Sequence, residues 1–259
     1  MWTDVVDLQE FYNSRLGRVA RHVLRQSIRD IWPDLNGRTL LGLGYATPYL
    51  EMFEGDVENL MAVMPASQGV HHWPRDRAGK VVLADEAQLP LPDYSVDRVL
   101  LVHGLESTEY VRDMLQEIWR VLTGEGRLLI VAPSRRGIWA RIDKTPFGWG
   151  HPFSRHQVMS LLRDTSFQML HTERTLYTPP SHSAAILRSS PAWERLGKRL
   201  APSFGGVLMV EATKQLYAPT PRRREKRLQE ATVGFPRPVI GTAPQSLNRA
   251  GLPEGLKDS

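Results

Sequence analysis

The 259-residue sequence contains no cysteine. Disulfide bonds, thiolate metal sites and cysteine nucleophiles are therefore excluded. The sequence also has no apolar run near the roughly 18–20 residues that a membrane-spanning helix needs. Its first stretch, MWTDVVDLQEFYNSRL, carries charges where a signal peptide requires an apolar segment. We therefore expect a cytoplasmic protein.

Metal ligands are also sparse. Eight histidines are present, but His71 and His72 are adjacent and would diverge on a helix, and His151 and His156 are separated by a loop–helix junction. Without cysteines or a dense carboxylate cluster, we expect no metal site.

Positive charge is concentrated at the carboxyl end. Residues 214–259 contain nine Lys/Arg and four Asp/Glu, so that 24 of each remain in residues 1–213, out of totals of 33 and 28. The same segment has six of the 19 prolines. We expect residues 1–217 to form one domain and residues 218–259 to be a flexible basic tail.

Within the domain, apolar segments alternate with helical patterns. Residues 5–31 have the periodicity of one long amphipathic helix. Continuous Val/Leu/Ile runs, typical of strands buried on both faces, follow, and the predicted strands are 39–43, 59–64, 80–84, 97–102, 126–132, 168–177 and 207–217. This order predicts a doubly wound α/β fold with a mostly parallel, seven-stranded sheet.

The stretch TLLGLGYATPYL (39–50) lies where such a sheet binds ligands, outside the carboxyl end of its first strand. Gly44 permits a tight turn, and Thr47 and Pro48 are suited to the N-cap and first position of a helix. The turn could receive a phosphate or carboxylate, or could simply connect a strand to a helix; the loop alone does not decide between these.

A second segment is more specific. Asp85 directly follows a strand in VVLADEAQLPLPDYSVDRVLLV, and His103 follows the next strand. A carboxylate at Asp85 could accept a hydrogen bond from an adenine amine or act only in a turn. His103, with an unperturbed pKa near 6.5, could act as a general base or pack as a structural histidine.

Together these segments resemble class I S-adenosylmethionine-dependent methyltransferases of the type 11 group. The resemblance covers residues 39–176 and is most specific over 85–133, where D-x-x-x-LP-h-P-D-x-S-hD-hhhh precedes EIWRVL and LLIVAP. It implies S-adenosylmethionine as cofactor, with His103 facing the methyl group or acceptor. The cofactor-contacting positions it implies are Gly42, Gly44, Tyr45, Ala46, Met64, Asp85, Glu86, Ala87 and His103.

Two of the family's carboxylate anchors are missing. Gly42 occupies the usual acidic position of the first strand, and Met64 occupies the acidic position that binds the ribose hydroxyls. Each lost hydrogen bond to a charged group is worth roughly 1.5–3 kcal/mol. Two losses would weaken cofactor binding by about 100-fold to over 10,000-fold unless other groups compensate.

Three functions fit these features. The first is methyl transfer to an unidentified acceptor, preferably a small molecule. The second is a non-catalytic role on the same fold, as a regulatory or protein-binding partner. The third is RNA methylation with the basic tail as an electrostatic anchor.

The insertion 134–153 bears on all three. It interleaves Arg135, Arg136, Arg141 and Lys144 with Trp139, Phe147 and Trp149. It could cover an anionic or aromatic acceptor, form a protein interface, or be a solvated loop held by its tryptophans.

Overall fold

The computed structural model describes residues 4–142 and 145–216. The strands are β1 (Thr39–Gly44), β2 (Asn59–Pro65), β3 (Val81–Ala84), β4 (Val96–Val102), β5 (Leu122–Pro133), β6 (Phe167–Thr175) and β7 (Val207–Lys214). The helices are α1 (Val5–Asn13), α2 (Arg15–Ile31), α3 (Thr47–Leu50), α4 (Val111–Val121), α5 (Arg155–Asp164), α6 (Ala184–Arg188) and α7 (Ser190–Leu200).

The strands form one seven-stranded sheet in the order β3-β2-β1-β4-β5-β7-β6. The strands β3, β2, β1, β4 and β5 are parallel, and β7 runs antiparallel between β5 and β6. The predicted doubly wound, mostly parallel fold is therefore confirmed. The chain moves outward from β1 to β3 and then returns to β4 on the other side of β1. The topological switch point consequently lies between β1 and β4, and Gly44 and His103 are at its carboxyl edge.

Successive side chains of the inner strands enter two different apolar layers. Leu40 packs with residues of α1, α2 and α3 on one face, whereas Leu41 packs with residues of α4 and α5 on the other. This division follows from the alternation of side chains along a strand. It explains why the buried stretches 40–44 of β1 and 99–102 of β4 are apolar without interruption.

The predicted single helix over residues 5–31 is wrong, because the chain breaks at Ser14. Ser14 is extended (φ −67°, ψ 164°), ends α1 and caps α2 by accepting a hydrogen bond from the N–H of Gly17. A Cβ on Gly17 would lie 1.9 Å from the carbonyl oxygen of Phe11. Only glycine permits this close reversal, which directs α1 across the carboxyl edge of the sheet.

The prediction that the strand around residues 80–84 is buried on both faces is also wrong. This strand, β3, is the edge of the sheet, and Val82 and Leu83 are 50% and 48% exposed. The connection between β2 and β3 contains turns instead of a covering helix. No helix in the described part of the chain is long and apolar enough to cross a membrane. The predicted basic tail 218–259 lies outside the described residues.

Candidate functional site

The turn after β1 brings the carboxyl ends of β1 and β4 into contact. Gly44 has φ +76°, and a Cβ on it would lie 2.3 Å from the carbonyl oxygen of Val102. The N–H of Tyr45 donates to the same oxygen at 2.8 Å. A side chain at position 44 would therefore force these two strand ends apart.

Thr47 does not cap α3 as its sequence position suggests. It is the first helical residue, Ala46 is at the N-cap, and no side chain caps the helix. The hydroxyl of Thr47 instead lies 3.0 Å from Nε2 of His71, in the loop after β2. Pro48 is in the first turn of the helix, as expected.

Packing replaces the two missing carboxylates. A Cβ on Gly42 would lie 2.6 Å from Cδ1 of Leu50 and 2.8 Å from Cβ of Ala46. Leu50 thus fills the space that an acidic side chain at position 42 would need. Met64 is 1% exposed and belongs to the same apolar layer.

The residues after β3 are organised around a turn. The carboxylate of Asp85 is exposed and accepts the N–H of Ala87 at 2.8 Å through Oδ1. Glu86 is buried, and Ala87 is partly buried. Asp85 therefore stabilises this turn through Oδ1, and its Oδ2 has no hydrogen bond from another described residue.

A buried chain of hydrogen bonds crosses the switch point. The hydroxyl of Tyr49 donates to that of Tyr12 at 2.8 Å, and Tyr12 Oη lies 2.7 Å from Nε2 of His103. Nδ1 of His103 lies 2.9 Å from Oε1 of Glu106. Since Tyr12 accepts from Tyr49, its proton points to Nε2, and Nδ1 then carries the imidazole proton and donates to Glu106.

The four members of this chain come from three separate parts of the sequence. Tyr12 is on α1, Tyr49 is on α3, and His103 and Glu106 follow β4. All four are buried. His103 also has φ +51°, a sparsely populated conformation for a residue other than glycine. Strained backbone of this kind concentrates at functional sites.

The insertion 134–153 covers this chain. Phe147 lies 5.1 Å from the ring of His103 and 6.0 Å from that of Phe11, measured between centroids. Trp139 is buried, contacts Phe147 at 5.5 Å and donates through Nε1 to the carbonyl of Thr178. Trp139 and Phe147 hold the loop in place and are not free to form a protein interface. Arg135, Arg136 and Arg141 are exposed, and Lys144 lies outside the described residues.

Two buried acceptor oxygens near the end of β4 have no hydrogen-bond partner among the described residues: Oε1 of Gln68 and Oε2 of Glu106. Gln68 follows β2, and its amide nitrogen donates to the carbonyl oxygen of His103 and to Oγ of Ser107. Buried acceptors without a partner are costly and require an explanation. Both oxygens could accept a hydrogen bond from a ligand bound close to the switch point.

Burial also controls the ionisation of the tyrosines. It raises the pKa of Tyr45 to about 12 and that of Tyr12 well above its usual value. The pKa of Tyr49 is likewise raised by burial. These hydroxyls therefore remain protonated, and can donate, throughout the physiological range.

Comparison with known proteins places this site in context. Residues 41–130 match the family described as a methyltransferase domain. The match begins in β1 and ends in β5, so it covers the parallel part of the sheet and both sides of the switch point. No curated protein matches the sequence significantly.

Solved structures share the methyltransferase fold. One is an S-adenosylmethionine-dependent methyltransferase of Thermotoga maritima, with a TM-score of 0.61 and 18% identity over 82% of this chain and 96% of that one. Another is a Haloferax volcanii protein assigned as a methyltransferase, in complex with the Trm112 methyltransferase activator, with a TM-score of 0.60 and 14% identity over 83% and 100% of the two chains. The [4+2]-cyclase SpnF has a TM-score of 0.52 and 20% identity over 75% and 80%.

A methyltransferase domain of this group implies S-adenosylmethionine as its cofactor. The cofactor's ammonium, hydroxyl and amine groups need acceptors. The domain lacks them at Gly42 and Met64 but offers the unpartnered oxygens of Gln68 and Glu106, and the free oxygen of Asp85. The group is thus compatible with the residues present, through acceptors other than the family's two missing carboxylates.

Sequence reasoning located Gly44, Tyr45, Asp85 and His103 at the carboxyl edge of the sheet but missed four residues. Tyr12, Tyr49, Gln68 and Glu106 come from separate elements, and only Glu106, three residues after His103, could have been linked to it by position. Tyr45 is brought to the same place and stacks on Tyr12, with 5.6 Å between ring centroids.

Proposed function

We propose that this protein is an S-adenosylmethionine-dependent methyltransferase that acts on a small-molecule acceptor in the cytoplasm, with His103 as general base. The hydrogen-bonded chain Tyr12–His103–Glu106 at the end of β4 carries the proposal. It holds the imidazole at the switch point of a methyltransferase domain, with Nδ1 directed to a carboxylate.

When bound, the cofactor supplies an electrophilic methyl group and leaves as a neutral thioether. The glycine turn at Gly44, the acceptor oxygen of Gln68 and the carboxylate of Asp85 would hold it. The other residues named for the cofactor (Gly42, Tyr45, Ala46, Met64, Glu86 and Ala87) would contribute surface only.

His103 acts on the acceptor's proton. Its Nε2 accepts a hydrogen bond from the Tyr12 hydroxyl, so an acceptor O–H or N–H would take the position of that hydroxyl. Glu106 accepts a hydrogen bond from the N–H at Nδ1. It thereby stabilises the imidazolium that forms when Nε2 takes up the acceptor's proton. Phe147 packs over the imidazole and excludes water from it.

The proposal requires α1 to move, because Tyr12 occupies the hydrogen-bonding position of the acceptor. The break at Ser14 separates α1 from α2 and provides a hinge at that point. A nine-residue helix has little stability of its own, so α1 can move without unfolding the sheet.

Titration calorimetry and thermal shift with S-adenosylmethionine and its demethylated product test the cofactor. A ligand at 100 times its dissociation constant should stabilise the fold by about 2.7 kcal/mol, and Asp85→Ala should weaken binding. Methionine and adenosine serve as separate controls. Absence of any response at millimolar cofactor contradicts the proposal, whereas an unchanged affinity in Asp85→Ala restricts Asp85 to its turn.

The second candidate is a non-catalytic protein-binding role. The packing of Leu50 over Gly42 and the closure of the switch point by Tyr12 favour it. The Trm112 complex of the Haloferax protein provides an example of a partner on this fold. Cofactor binding with no turnover on any acceptor, together with a stable protein complex, would favour this role.

RNA methylation is the third candidate, supported only by the basic tail composition. Its binding should weaken steeply as the salt concentration rises, because phosphate contacts release counterions. Binding that is insensitive to salt would exclude it.

A further inference from the structure

A cavity of about 320 Å³ opens beside the turn after β1. Its wall is formed by the α1–α2 junction, the start of α3 and the loop after β2. The residues that give it chemical character are Tyr12, Arg21, Tyr45, His71, Trp73 and Arg75.

Tyr12 connects this cavity to His103. The tyrosine ring lines the cavity, and its hydroxyl is the group that occupies Nε2 of His103. A displacement of Tyr12 would therefore join the cavity to the imidazole. The cavity is therefore next to the position that an acceptor would take at Nε2 of His103.

Two guanidinium groups in the wall are available to a ligand. Neither Arg21 nor Arg75 forms a hydrogen bond or ion pair with another described residue, whereas the carboxylates beside them are paired. Glu51 lies 3.3 Å from Arg25, and Glu54 lies 2.9 Å from Arg77 and 3.7 Å from Lys80.

Asp76 is the remaining carboxylate in the wall. It is exposed and lies 4.0 Å from Arg77. The wall holds three arginines and three carboxylates. Because the carboxylates are paired with Arg25, Arg77 and Lys80, the guanidinium groups of Arg21 and Arg75 are the ones left to pair with an anionic ligand.

Aromatic side chains also line the cavity, and Tyr45 and Trp73 are 4% and 8% exposed. Tyr45 and His71 lie 5.6 Å apart between ring centroids, and Tyr45 stacks on Tyr12 with an interplanar angle of 17°. Arg75 and Arg21 oppose the rise that burial causes in the pKa of Tyr45, so both charges act on its hydroxyl. Tyr45 is thus the side chain at which the two positive charges and the aromatic rings meet.

We propose that this cavity binds the methyl acceptor, and that the acceptor is a planar aromatic molecule carrying a carboxylate or a phosphate. Arg21 and Arg75 hold the anionic group, and the rings of Tyr45 and Trp73 contact the planar part. The role as acceptor rests on the proposed methyltransferase function; the binding of an anionic aromatic ligand does not.

The test uses three probes of similar size on the full chain: benzoate, phenyl phosphate and the uncharged benzamide. Each is titrated into isotopically labelled protein without cofactor, and amide shifts are followed by NMR. We expect one or both anions to bind at least 10-fold more tightly than benzamide, with shifts in residues 71–77 and in the first half of α2. The preferred anion distinguishes a carboxylate acceptor from a phosphate acceptor.

Substitutions of the two arginines test whether their charges bind the anion. Arg21→Gln and Arg75→Gln should each weaken anion binding about fivefold or more and leave benzamide binding unchanged. Arg15→Gln, an exposed arginine of α2 outside the cavity wall, is the matched control and should bind as the wild type does. Equal binding of benzamide and the anions overturns the proposal, as does equal anion binding by all three variants.

The outcomes separate this proposal from the proposed function. Anion binding without any response to S-adenosylmethionine would remove the methyltransferase function and leave the ligand site. A response to S-adenosylmethionine without selective anion binding would remove the ligand site alone.

Discussion

Replacing Tyr12 by phenylalanine removes one hydroxyl and keeps the ring. That hydroxyl donates to His103 at 2.7 Å and accepts from Tyr49 at 2.8 Å, and all three side chains are buried. Each hydrogen bond contributes roughly 0.5–1.5 kcal/mol, and a buried group left without its partner costs about 1–3 kcal/mol. We therefore expect Tyr12→Phe to lower the free energy of unfolding by about 2–4 kcal/mol.

Urea unfolding followed by circular dichroism measures this change. The midpoint should fall and the slope should not change, because the surface exposed on unfolding is the same. The control is Tyr110→Phe, since Tyr110 is 61% exposed and its hydroxyl has no hydrogen bond within the described residues. A Tyr12→Phe midpoint equal to that of Tyr110→Phe would refute the buried chain of hydrogen bonds and the closure of the site by Tyr12.

Three further predictions follow from the site. His103→Asn should lower turnover by about 100-fold to 10,000-fold with little change in cofactor affinity; full turnover between pH 6 and 8 would remove the general-base role. Gly42→Asp should lower the free energy of unfolding by about 1–3 kcal/mol, because the new side chain overpacks against Leu50. The double variant Gly42→Asp with Leu50→Ala should bind cofactor about 10-fold or more tightly than Leu50→Ala alone, as measured by calorimetry. Equal affinities would mean that the restored carboxylate does not reach the cofactor. Burial lowers the pKa of His71, so the unfolded chain takes up this proton first as the pH falls: stability should decline from about pH 6.5 downward until the folded state is also protonated. His71→Gln should remove that part of the decline in urea titrations between pH 5 and 7, the exposed His22→Gln should not, and identical profiles for the two variants would contradict this assignment.

Much of the architecture could be predicted from the sequence, because buried parallel strands leave continuous apolar runs that need no tertiary information. The runs at 39–43, 59–64 and 97–102 are β1, β2 and β4 with small changes at their ends. The break at Ser14 could not be predicted in this way. Apolar periodicity continues through it, and the reversal depends on the contact of Gly17 with the Phe11 carbonyl.

The site was less predictable than the fold. Gly44, Asp85 and His103 were located because they directly follow strands, whose carboxyl ends meet at one edge of the sheet. Tyr12 and Gln68 reach this edge only through the direction of α1 and the path of the loop after β2. Their roles depend on contacts between residues 35 to 91 positions apart, for which the local sequence has no periodic signal.

The position of β7 has a consequence for synthesis of the chain. β5 ends at Pro133, but its second neighbour, β7, spans Val207–Lys214. At about 5–20 residues per second, a ribosome needs roughly 4–16 s to add the intervening 80 or so residues. During that interval the apolar β5 has an open edge that another nascent chain could pair with. Synthesis of β7 therefore covers the open edge of β5 and removes this site of aggregation. Chains that stop before Val207 would keep the edge of β5 open.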